Sequence, residues 1–468
     1  MSELVLYNTM TRRKERFTPL APGPVRIYSC GPTVYSRQHL GNLRTYLFPD
    51  LLNRTLRLFG YDVRHVINIT DVGHLTGDSD TGDDKMEKAA RETKTSAWDI
   101  AAKWTAVFRA DLAKLHFREP DVWCKATDHI PQQIEMIRAL EARGFTYRTS
   151  DGVYFDTAKD PHYGELARLD VAAQEAQARI EGVGEKRNAA DFALWKLSRP
   201  GEGRQMEWDS PWGRGFPGWH IECSAMSVAY LGQTFDIHTG GADHVPVHHP
   251  NEIAQSENAL GVRPWVRTWM HTGWLMFDGE KISKSKGGSV LNLDQMIEDG
   301  FEPLAFRYLA LGAHYRQQLT YSDEAMRGAQ TALRRLLHHA AELRGDASSK
   351  GAGKEVEAAR ARFRGALAED LNAPRALAVV WEVVRSDALG GREKWALLCE
   401  FDGVLALGLA EAQASAQEVD PEIDALVAER DRARAARNWK RADEIRDALK
   451  ARGITIVDSP QGSRWNRA

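Results

Sequence analysis

Two β-type runs enclose a long helical stretch near the beginning of the chain. Residues 25–28 and 63–69 are short apolar runs rich in β-forming residues, and residues 41–59 carry leucines at helical spacing. Pro49 should kink or interrupt this helix, because proline removes one backbone hydrogen bond. A strand, a helix and a second strand in this order predict a βαβ unit of a parallel sheet, and therefore an α/β fold.

Candidate ligand positions follow each of these strands. Parallel sheets bind ligands beyond the carboxyl ends of their strands. Cys30 stands after the first strand, and Thr70 and Asp71 stand after the second. The apolar runs 235–238 and 269–277 predict that the same sheet resumes later in the chain.

The composition is that of an ordinary globular protein. Apolar residues make up 43% of the 468 residues, and the formal net charge is −3. A protein that binds nucleic acid by electrostatics alone would be far more basic, so any such contact must be local. There is no apolar run of about 18 residues and no apolar leader, so we expect a cytoplasmic protein without membrane contacts.

Cysteines are few and dispersed. The four are Cys30, Cys124, Cys223 and Cys399. Disulfides are not expected in a reducing compartment, which leaves free thiols or metal ligands. We interpret Cys124 and Cys399 as buried apolar residues.

The string His39-Leu40-Gly41-Asn42 stands at the predicted start of the first helix. A helix N-terminus offers free N–H groups and a positive dipole end, which suits phosphate. Gly41 allows a ligand to approach the backbone, while His39 and Asn42 can donate hydrogen bonds. Taken by itself, the string is common by chance and more typical of a helix cap with a surface histidine.

A second string, Lys281-Ile282-Ser283-Lys284-Ser285, lies much later in the chain. Lysines three residues apart among small residues can neutralise phosphates as charge develops in a transition state. Taken by itself, this string is more typical of a solvated basic loop.

Together the two strings resemble the paired signatures of class I aminoacyl-tRNA synthetases. Such a resemblance implies a Rossmann-type catalytic core that activates an amino acid by in-line attack on the α-phosphate of ATP. It also implies Mg²⁺ with the ATP, and pyrophosphate as the leaving group. Asn42 departs from the general signature, which has a second histidine there, and asparagine can donate to phosphate but carries no charge.

Four dispersed residues form a candidate metal-ligand set: Cys30, Cys223, His248 and Glu252. Thiolates, imidazole and carboxylate are all ligands that zinc accepts. His248 and Glu252 share one face if a helix spans them. Pro250 lies between them and is tolerated only in a first turn, so we expect the helix to begin at about residue 249 or 250, with His248 in the cap region. Spacing alone does not reveal this set, because the sequence has no Cys-x-x-Cys pair, and composition alone favours two buried structural cysteines and an unrelated histidine pair.

Further strings match the cysteinyl-tRNA synthetase family over essentially the whole chain. They are Tyr28-Ser29-Cys30-Gly31, Asn68-Ile69-Thr70-Asp71, Asp191-Phe192-Ala193-Leu194-Trp195-Lys196, Gly240-Gly241-Ala242-Asp243 and the C-terminal Gly453-Ile454 to Arg464-Trp465. This resemblance implies one zinc ion per chain on Cys30, Cys223, His248 and Glu252, with L-cysteine, ATP and tRNA(Cys) as substrates. It further implies that Lys281 and Lys284 act on ATP, that Asp243 contacts the ribose, and that the cysteine pocket is lined by Gly31, Thr70, Trp219 and His238.

The same resemblance implies an order of domains and a monomeric protein. The expected units are residues 1–95, the first half of a Rossmann-type catalytic domain; 96–200, a connective insertion that is structural or faces tRNA; 201–272, the second half of the catalytic domain; 273–310, the lysine-loop and stem-contact region; 311–410, a helical bundle; and 421–468, an anticodon-binding domain.

Basic and aromatic residues in the C-terminal half are candidates for RNA contact. Arg464-Trp465 places an aromatic ring beside an arginine, which suits base stacking with a phosphate contact. Tyr315-Arg316 and Arg334-Arg335 could also face RNA, although basic residues on helices are more often solvated surface.

Two other functions stay open. A cysteine ligase of the mycothiol type shares the activating core but transfers cysteine to an amino sugar, and it lacks the helical and anticodon-type extension. An inactive paralogue that binds RNA or senses zinc is favoured only by Asn42. The intact lysines and the four candidate ligands argue against it.

Overall fold

The computed structural model describes residues 3–73, 84–169, 185–199, 201, 203–277, 280–281, 291–351, 353–413, 421–459 and 462–467. Its strands are β1 (Val5–Asn8), β2 (Arg13–Arg16), β3 (Val25–Ser29), β4 (Val63–Ile69), β5 (Val122–Lys125), β6 (Thr146–Thr149), β7 (Gly152–Phe155), β8 (Phe192–Leu197), β9 (Gly215–Pro217), β10 (Phe235–Gly241), β11 (Val266–Thr272), β12 (Leu275–Phe277), β13 (Glu280–Lys281), β14 (Leu319–Tyr321), β15 (Ile454–Ser459) and β16 (Gly462–Arg467).

The helices of the described ranges connect and cover these strands. They are α1 (Leu40–Leu58), α2 (Lys85–Thr93), α3 (Ala97–Lys114), α4 (Ile130–Ala142), α5 (Trp219–Leu231), α6 (His248–Leu260), α7 (Leu293–Glu298), α8 (Pro303–Leu311), α9 (Asp323–Arg344), α10 (Gly353–Ala368), α11 (Ala373–Arg385), α12 (Gly391–Leu405), α13 (Pro421–Ala435) and α14 (Trp439–Ala451).

A five-stranded parallel sheet forms the centre of the fold. Its strand order is β11-β10-β3-β4-β5, and each neighbouring pair is parallel. The first strand of the sheet in sequence, β3, therefore lies in the middle, between β4 and β10. Connections leave β3 and β10 in opposite directions, which makes the gap between their carboxyl ends the topological switch point where such sheets bind ligands. The predicted βαβ unit and α/β class are confirmed.

Helix α1 is continuous across its proline. It runs through Pro49, so the predicted interruption is wrong, while the alternative of a kink at Pro49 stays a prediction. Leu43, Leu47 and Leu51 are buried on the face that the sequence predicted, and this packing outweighs the single lost backbone hydrogen bond.

Strand β5 corrects the interpretation of residues 96–200 as wholly inserted. It pairs in parallel with β4 and completes one edge of the central sheet. A separate antiparallel sheet, in the order β6-β7-β8-β9, departs from the Rossmann pattern. Since β9 ends at Pro217 and α5 begins at Trp219, this second sheet leads directly into the helix that carries Cys223.

The antiparallel sheet also supports the two helices that carry the candidate ligands. Phe155 and Phe192 stack with their ring centroids 5.1 Å apart. Both belong to a buried cluster with Ile221 of α5 and Ala254 of α6. Packing against the antiparallel sheet therefore helps to fix the positions of α5 and α6.

A buried ion pair joins α1 to the C-terminal helices. Asp50 accepts hydrogen bonds from Nη2 of Arg307 on α8, at 2.5 Å, and from Nε of Arg54 at 3.0 Å. Arg307 also donates to the carbonyl oxygen of Leu405, the last residue of α12. One carboxylate thus ties the helix that begins at His39 to the helical bundle.

The C-terminal unit is a helical pair, α13 and α14, packed against the β15–β16 hairpin. Its small core contains Ile423, Val427, Ile445, Leu449 and Trp465. No helix in the described ranges is both long enough and apolar enough to cross a bilayer.

Candidate active site

The predicted site residues cluster at the switch point between β3 and β10. Cys30 immediately follows β3, and its backbone N–H donates to the carbonyl oxygen of Thr239 on β10 at 3.2 Å. Cys223 lies on α5, while His248 and Glu252 lie on α6. Residues from four segments therefore meet at the carboxyl edge of the sheet.

All four predicted metal ligands come together there. Their donor atoms lie within 4.8 Å of one another, and all four side chains are buried. The sulfurs of Cys30 and Cys223 are 3.9 Å apart, and Nε2 of His248 is 3.0 Å from Oε1 of Glu252. Ligands of a tetrahedral zinc ion are separated by about 3.3–3.8 Å, so donor type and spacing both fit a metal centre.

Helix α6 begins at His248, which is one or two residues earlier than expected. Pro250 therefore lies in the first turn, where its missing N–H breaks no hydrogen bond within the helix. His248 is part of that turn and not only a cap-region residue, and it faces the same side as Glu252.

A second overlapping set of donors consists of Cys30, His238, His249 and Glu252, also within 4.8 Å of one another. His238, predicted for the cysteine pocket, has its Nε2 2.9 Å from Oε2 of Glu252. His249 was missed by the sequence reasoning, although it stands next to His248. Its Nε2 lies 3.4 Å from the sulfur of Cys30.

Further histidines hold these rings in place. Nδ1 of His249 pairs with Nε2 of His271 at 2.8 Å, and Nδ1 of His271 is in turn hydrogen-bonded to the hydroxyl of Thr9. Nδ1 of His248 pairs with Nδ1 of His220 at 2.8 Å. Such contacts fix ring orientation and decide which nitrogen faces a metal.

Neighbouring groups in the cluster favour the charged forms of His248 and Glu252. Burial acts to lower the pKa of His248, but Glu252 and Cys223 outweigh it and raise that pKa to about 10. Burial acts to raise the pKa of Glu252, but His238 and His248 hold it well below its usual range. A hydrogen bond from Cys30 lowers the pKa of Cys223, while burial raises that of Cys30. A metal ion that binds here must displace protons.

The His39-Leu40-Gly41-Asn42 string forms the N-terminus of α1, as predicted. His39 is the N-cap, and its Nδ1 accepts a hydrogen bond from the backbone N–H of Asn42 at 3.1 Å. A neutral ring that accepts at Nδ1 carries its proton on Nε2. A Cβ at Gly41 would lie 2.9 Å from Nδ1 of His39, so glycine is required beside this ring.

The other predicted pocket residues surround the cluster. The N–H of Gly31 donates to Oδ1 of Asn68 at 2.7 Å, and a Cβ at Gly31 would collide with the carbonyl oxygen of Asn68. The hydroxyl of Thr70 accepts from Nδ2 of Asn68 at 3.1 Å. Trp219 is half-buried at the start of α5, with its ring centroid 4.5 Å from that of His248.

The structure describes only some of the residues that were predicted to bind ATP. Asp243 is exposed in a short 3-10 segment, Ala242–His244, just after β10. The backbone of Lys281 lies in β13, paired with Met276. Lys284 lies outside the described residues.

The C-terminal aromatic prediction requires correction. Trp465 is only 5% exposed and packs in the core of its unit, so it cannot stack on a base. Its neighbour Arg464 is described for its backbone alone. The exposed tryptophan of this unit is Trp439, at 59%, which the sequence reasoning missed although Asn438 and Lys440 flank it in a polar string.

The Tyr315-Arg316 pair is also structural. Tyr315 is buried, stacks on Phe48 and donates to Oδ1 of Asp370 at 2.7 Å. Arg316 donates to the other oxygen of Asp370 at 2.8 Å. Asp370 holds this pair against the bundle, and Tyr315 is not available to RNA.

Known proteins resemble this chain in fold and in sequence. Residues 16–331 match the family model of the class I (C) tRNA synthetase catalytic domain. The methionyl-tRNA synthetase of Mycobacterium tuberculosis, solved with methionyl-adenylate, has the same fold at 16% identity, with a TM-score of 0.57 over 84% of this chain and 95% of that one. Fold, switch-point site and family match define a class I aminoacyl-tRNA synthetase.

The C-terminal unit and the relatives that match over the full length identify the family within this class. Residues 416–465 match the model of the cysteinyl-tRNA ligase anticodon binding domain, and the chain belongs to the cysteine–tRNA ligase family. Cysteine–tRNA ligase 1 of Burkholderia lata is 52% identical over 98% of this chain and 96% of its own length. The cysteine–tRNA ligase of Treponema denticola is 42% identical over 99% of each.

Proposed function

We propose that this protein activates L-cysteine with ATP and transfers it to tRNA(Cys), with one zinc ion recognising the substrate thiol. The observation that carries the proposal is the buried set of Cys30, Cys223, His248 and Glu252 at the switch point. A cysteine side chain that enters the site would meet the metal position that these four donors define.

Zinc would be held by those four side chains. When bound, it supplies a Lewis acid that prefers a thiolate to a hydroxyl and favours ionisation of the thiol. A plain pocket separates near-isosteres such as cysteine and serine by only about 10–200-fold. The paired His238 and Glu252 orient the cluster and exclude water from it, since both are fully buried.

Residues of the first helix act on the nucleotide. The Nε2–H of His39 and the backbone N–H of Gly41 donate to phosphate oxygens of ATP, which arrives with Mg²⁺. Gly41 lets the phosphate approach the backbone, and Asn42 donates from its side-chain amide. The cysteine carboxylate attacks the α-phosphorus in line, and pyrophosphate leaves.

Two further groups complete the proposal for ATP. Asp243 binds the ribose hydroxyls from the end of β10. Lys281 and Lys284 neutralise the phosphates as charge develops. The roles of Asp243 and of the two lysines are supported by their places in the sequence. For Asp243, its exposure just after β10 adds support.

The C-terminal unit binds the anticodon of tRNA(Cys) in this proposal. Trp439 presents an exposed ring between Arg437 and Lys440, both of which are also exposed. An aromatic face flanked by cations suits base stacking with phosphate contacts. Arg464 stays a candidate for tRNA contact, and the cytoplasmic location, the monomeric state and the domain boundaries stay predictions.

The alternative acceptor, an amino sugar, is less well supported. The match of residues 416–465 to an anticodon binding domain favours tRNA, because transfer to a small sugar needs no such unit. An inactive paralogue is disfavoured by the assembled donor set and by the regular cap at His39.

Aminoacylation with radiolabelled cysteine tests the proposal directly. The full-length protein should charge tRNA(Cys) in the presence of ATP, and should not charge a tRNA of another specificity. An amino sugar offered in place of tRNA should remain unmodified. Transfer of cysteine to the sugar, or no transfer to tRNA(Cys), would overturn it.

A further inference from the structure

His244 is a polar residue beside the cluster to which the mechanism above gives no task. It ends the short segment Ala242–His244 that follows β10 and is half-buried. Its ring centroid lies 5.0 Å from those of both His248 and His249. It also faces Trp219 edge-on, at 6.5 Å and 82°. The imidazole therefore lies among the residues that surround the substrate.

The backbone of β10 makes room for this ring. A Cβ at Gly240 would lie 2.5 Å from Nδ1 of His244 and 2.7 Å from Cε1 of His249. Any side chain at that position would displace both rings. Glycine near the end of β10 thus permits the imidazole of His244 to lie directly against the carboxyl edge of the sheet.

Hydrogen bonding leaves this side chain without an evident structural purpose. Within the described ranges neither ring nitrogen of His244 has a hydrogen-bond partner, and only Nδ1 is fully buried. A buried N–H without a partner is rarer than a buried acceptor without one, so the proton belongs on Nε2. The accessible nitrogen is therefore a donor.

The position of His244 indicates what that donor meets. One end of the proposed substrate site is the metal-ligand cluster, where the rings of His248 and His249 lie 5.0 Å from that of His244. The other end is marked by Asp243, the adjacent residue in the chain, which is proposed to bind the ribose. An amino acid bound between these two ends presents its backbone to His244, with the carboxylate nearer the nucleotide. A carboxylate is a strong hydrogen-bond acceptor.

We propose that His244 is a binding contact of the amino-acid substrate, and that its Nε2–H donates a hydrogen bond to the carboxylate that becomes activated. This inference rests on the proposed function, since it needs cysteine as the substrate. It adds a recognition element for the substrate backbone to the metal, which recognises only the thiol.

Three substitutions of His244 distinguish the effect of the hydrogen-bond donor from the effect of the ring itself. His244→Phe keeps a planar ring but removes both nitrogens, His244→Gln places an amide near the position of Nε2, and His244→Asn places one near Nδ1. They are compared in the full-length, zinc-loaded protein by cysteine-dependent ATP–pyrophosphate exchange. Zinc per chain is measured in parallel, and His338→Phe, on the exposed face of α9, is the matched control.

The Phe variant should raise the KM for cysteine by about ten- to a hundredfold, the effect of losing one hydrogen bond to a charged group. The KM for ATP and the zinc content should stay at parental values. Gln should restore most of the affinity for cysteine, whereas Asn should not. Cysteamine, which has the thiol and the amine but no carboxylate, should inhibit the parent and the Phe variant equally well.

Several results would overturn the inference. If the Phe variant has the parental KM for cysteine, His244 does not contact the substrate. If cysteamine inhibits the Phe variant less well than the parent, the contact is not with the carboxylate. Loss of zinc in the Phe variant shows that His244 acts through the metal ligands. Absence of exchange in the parent protein itself contradicts the proposed function, and this outcome is distinguishable from all the others.

Discussion

Nε2 of His248 lies 3.0 Å from Oε1 of Glu252, one turn further along the same helix. The pairing depends on where α6 begins: with His248 as its first residue, Pro250 falls in the first turn and the two side chains share a face. Cys30 and Cys223 complete the set from a strand end and from a neighbouring helix. Three elements, β3, α5 and α6, therefore contribute to one compact group of four donors.

Replacement of Cys223 by serine should remove the metal. A hydroxyl is a poor zinc ligand, and three remaining donors hold the ion weakly, so zinc per chain should fall from about one to near zero, as measured by mass spectrometry of the purified protein. Cys399→Ser is the matched control, because Cys399 lies on α12 outside the cluster, and it should retain its zinc. Full zinc occupancy in Cys223→Ser would exclude Cys223 as a ligand.

Removal of the exposed ring of Trp439 should weaken tRNA charging without affecting activation. Trp439→Ala should lower the rate of aminoacylation at limiting tRNA by about 5–100-fold, because stacking on one base contributes roughly 1–3 kcal/mol. Trp439→Phe should retain most of the parental rate. Pyrophosphate exchange should be the same in all three proteins, and equal charging by the Ala variant would remove this residue from the tRNA interface.

Loss of the Asp50 carboxylate should destabilise the protein strongly. Arg307 is fully buried and would keep only its carbonyl partners, so Asp50→Ala should lower the free energy of unfolding by about 3–5 kcal/mol. Asp323→Ala is the control, since the Asp323–Arg327 pair is largely exposed and should contribute less than about 1 kcal/mol. Urea denaturation measures both changes, and similar effects of the two substitutions would contradict the assigned role.

Acid should destabilise the fold through His65. Burial lowers the pKa of this ring to about 4, whereas the unfolded chain has a value of about 6.5. The unfolded state therefore binds the proton first as pH falls. Between pH 6.5 and 4 the free energy of unfolding should decrease by about 1.4 kcal/mol per pH unit from this group, with no contribution above that window.

The measurement is denaturation of the parent and of His65→Gln at several pH values. Glutamine places an amide near the position of Nε2, which faces the hydroxyl of Ser29, and does not titrate. The pH slope of the variant should be smaller than that of the parent between pH 6.5 and 4. Parallel slopes would show that His65 is protonated equally in both states.

Much of the parallel sheet and the four candidate ligands could be predicted from the sequence. Strand-like runs mark β3, β4 and β10, because strands buried on both faces are continuously apolar. The ligand set was reached only through family resemblance, since Cys30 and Cys223 are far apart in sequence and no local spacing joins them. Strand β5 was missed, because four residues between helices carry little periodicity.

Other features depend on tertiary contacts that a pattern does not contain. Trp465 stands between polar residues and has the local appearance of a surface aromatic, yet the short β15–β16 hairpin turns it into the core formed by α13 and α14. His244 and His249 are ordinary polar residues in sequence. Only the meeting of β10 with α5 and α6 places them beside the cluster.

The most direct test of the account is ATP–pyrophosphate exchange with cysteine or serine, in zinc-loaded and in zinc-depleted protein. We predict exchange with cysteine in the zinc-loaded protein, loss of that exchange on depletion, and its return when zinc is restored. Serine should support exchange more than about 200-fold less well than cysteine, beyond what a plain pocket achieves. Equal exchange by zinc-depleted protein, or serine within that factor of cysteine, would contradict the assignment of thiol recognition to this cluster.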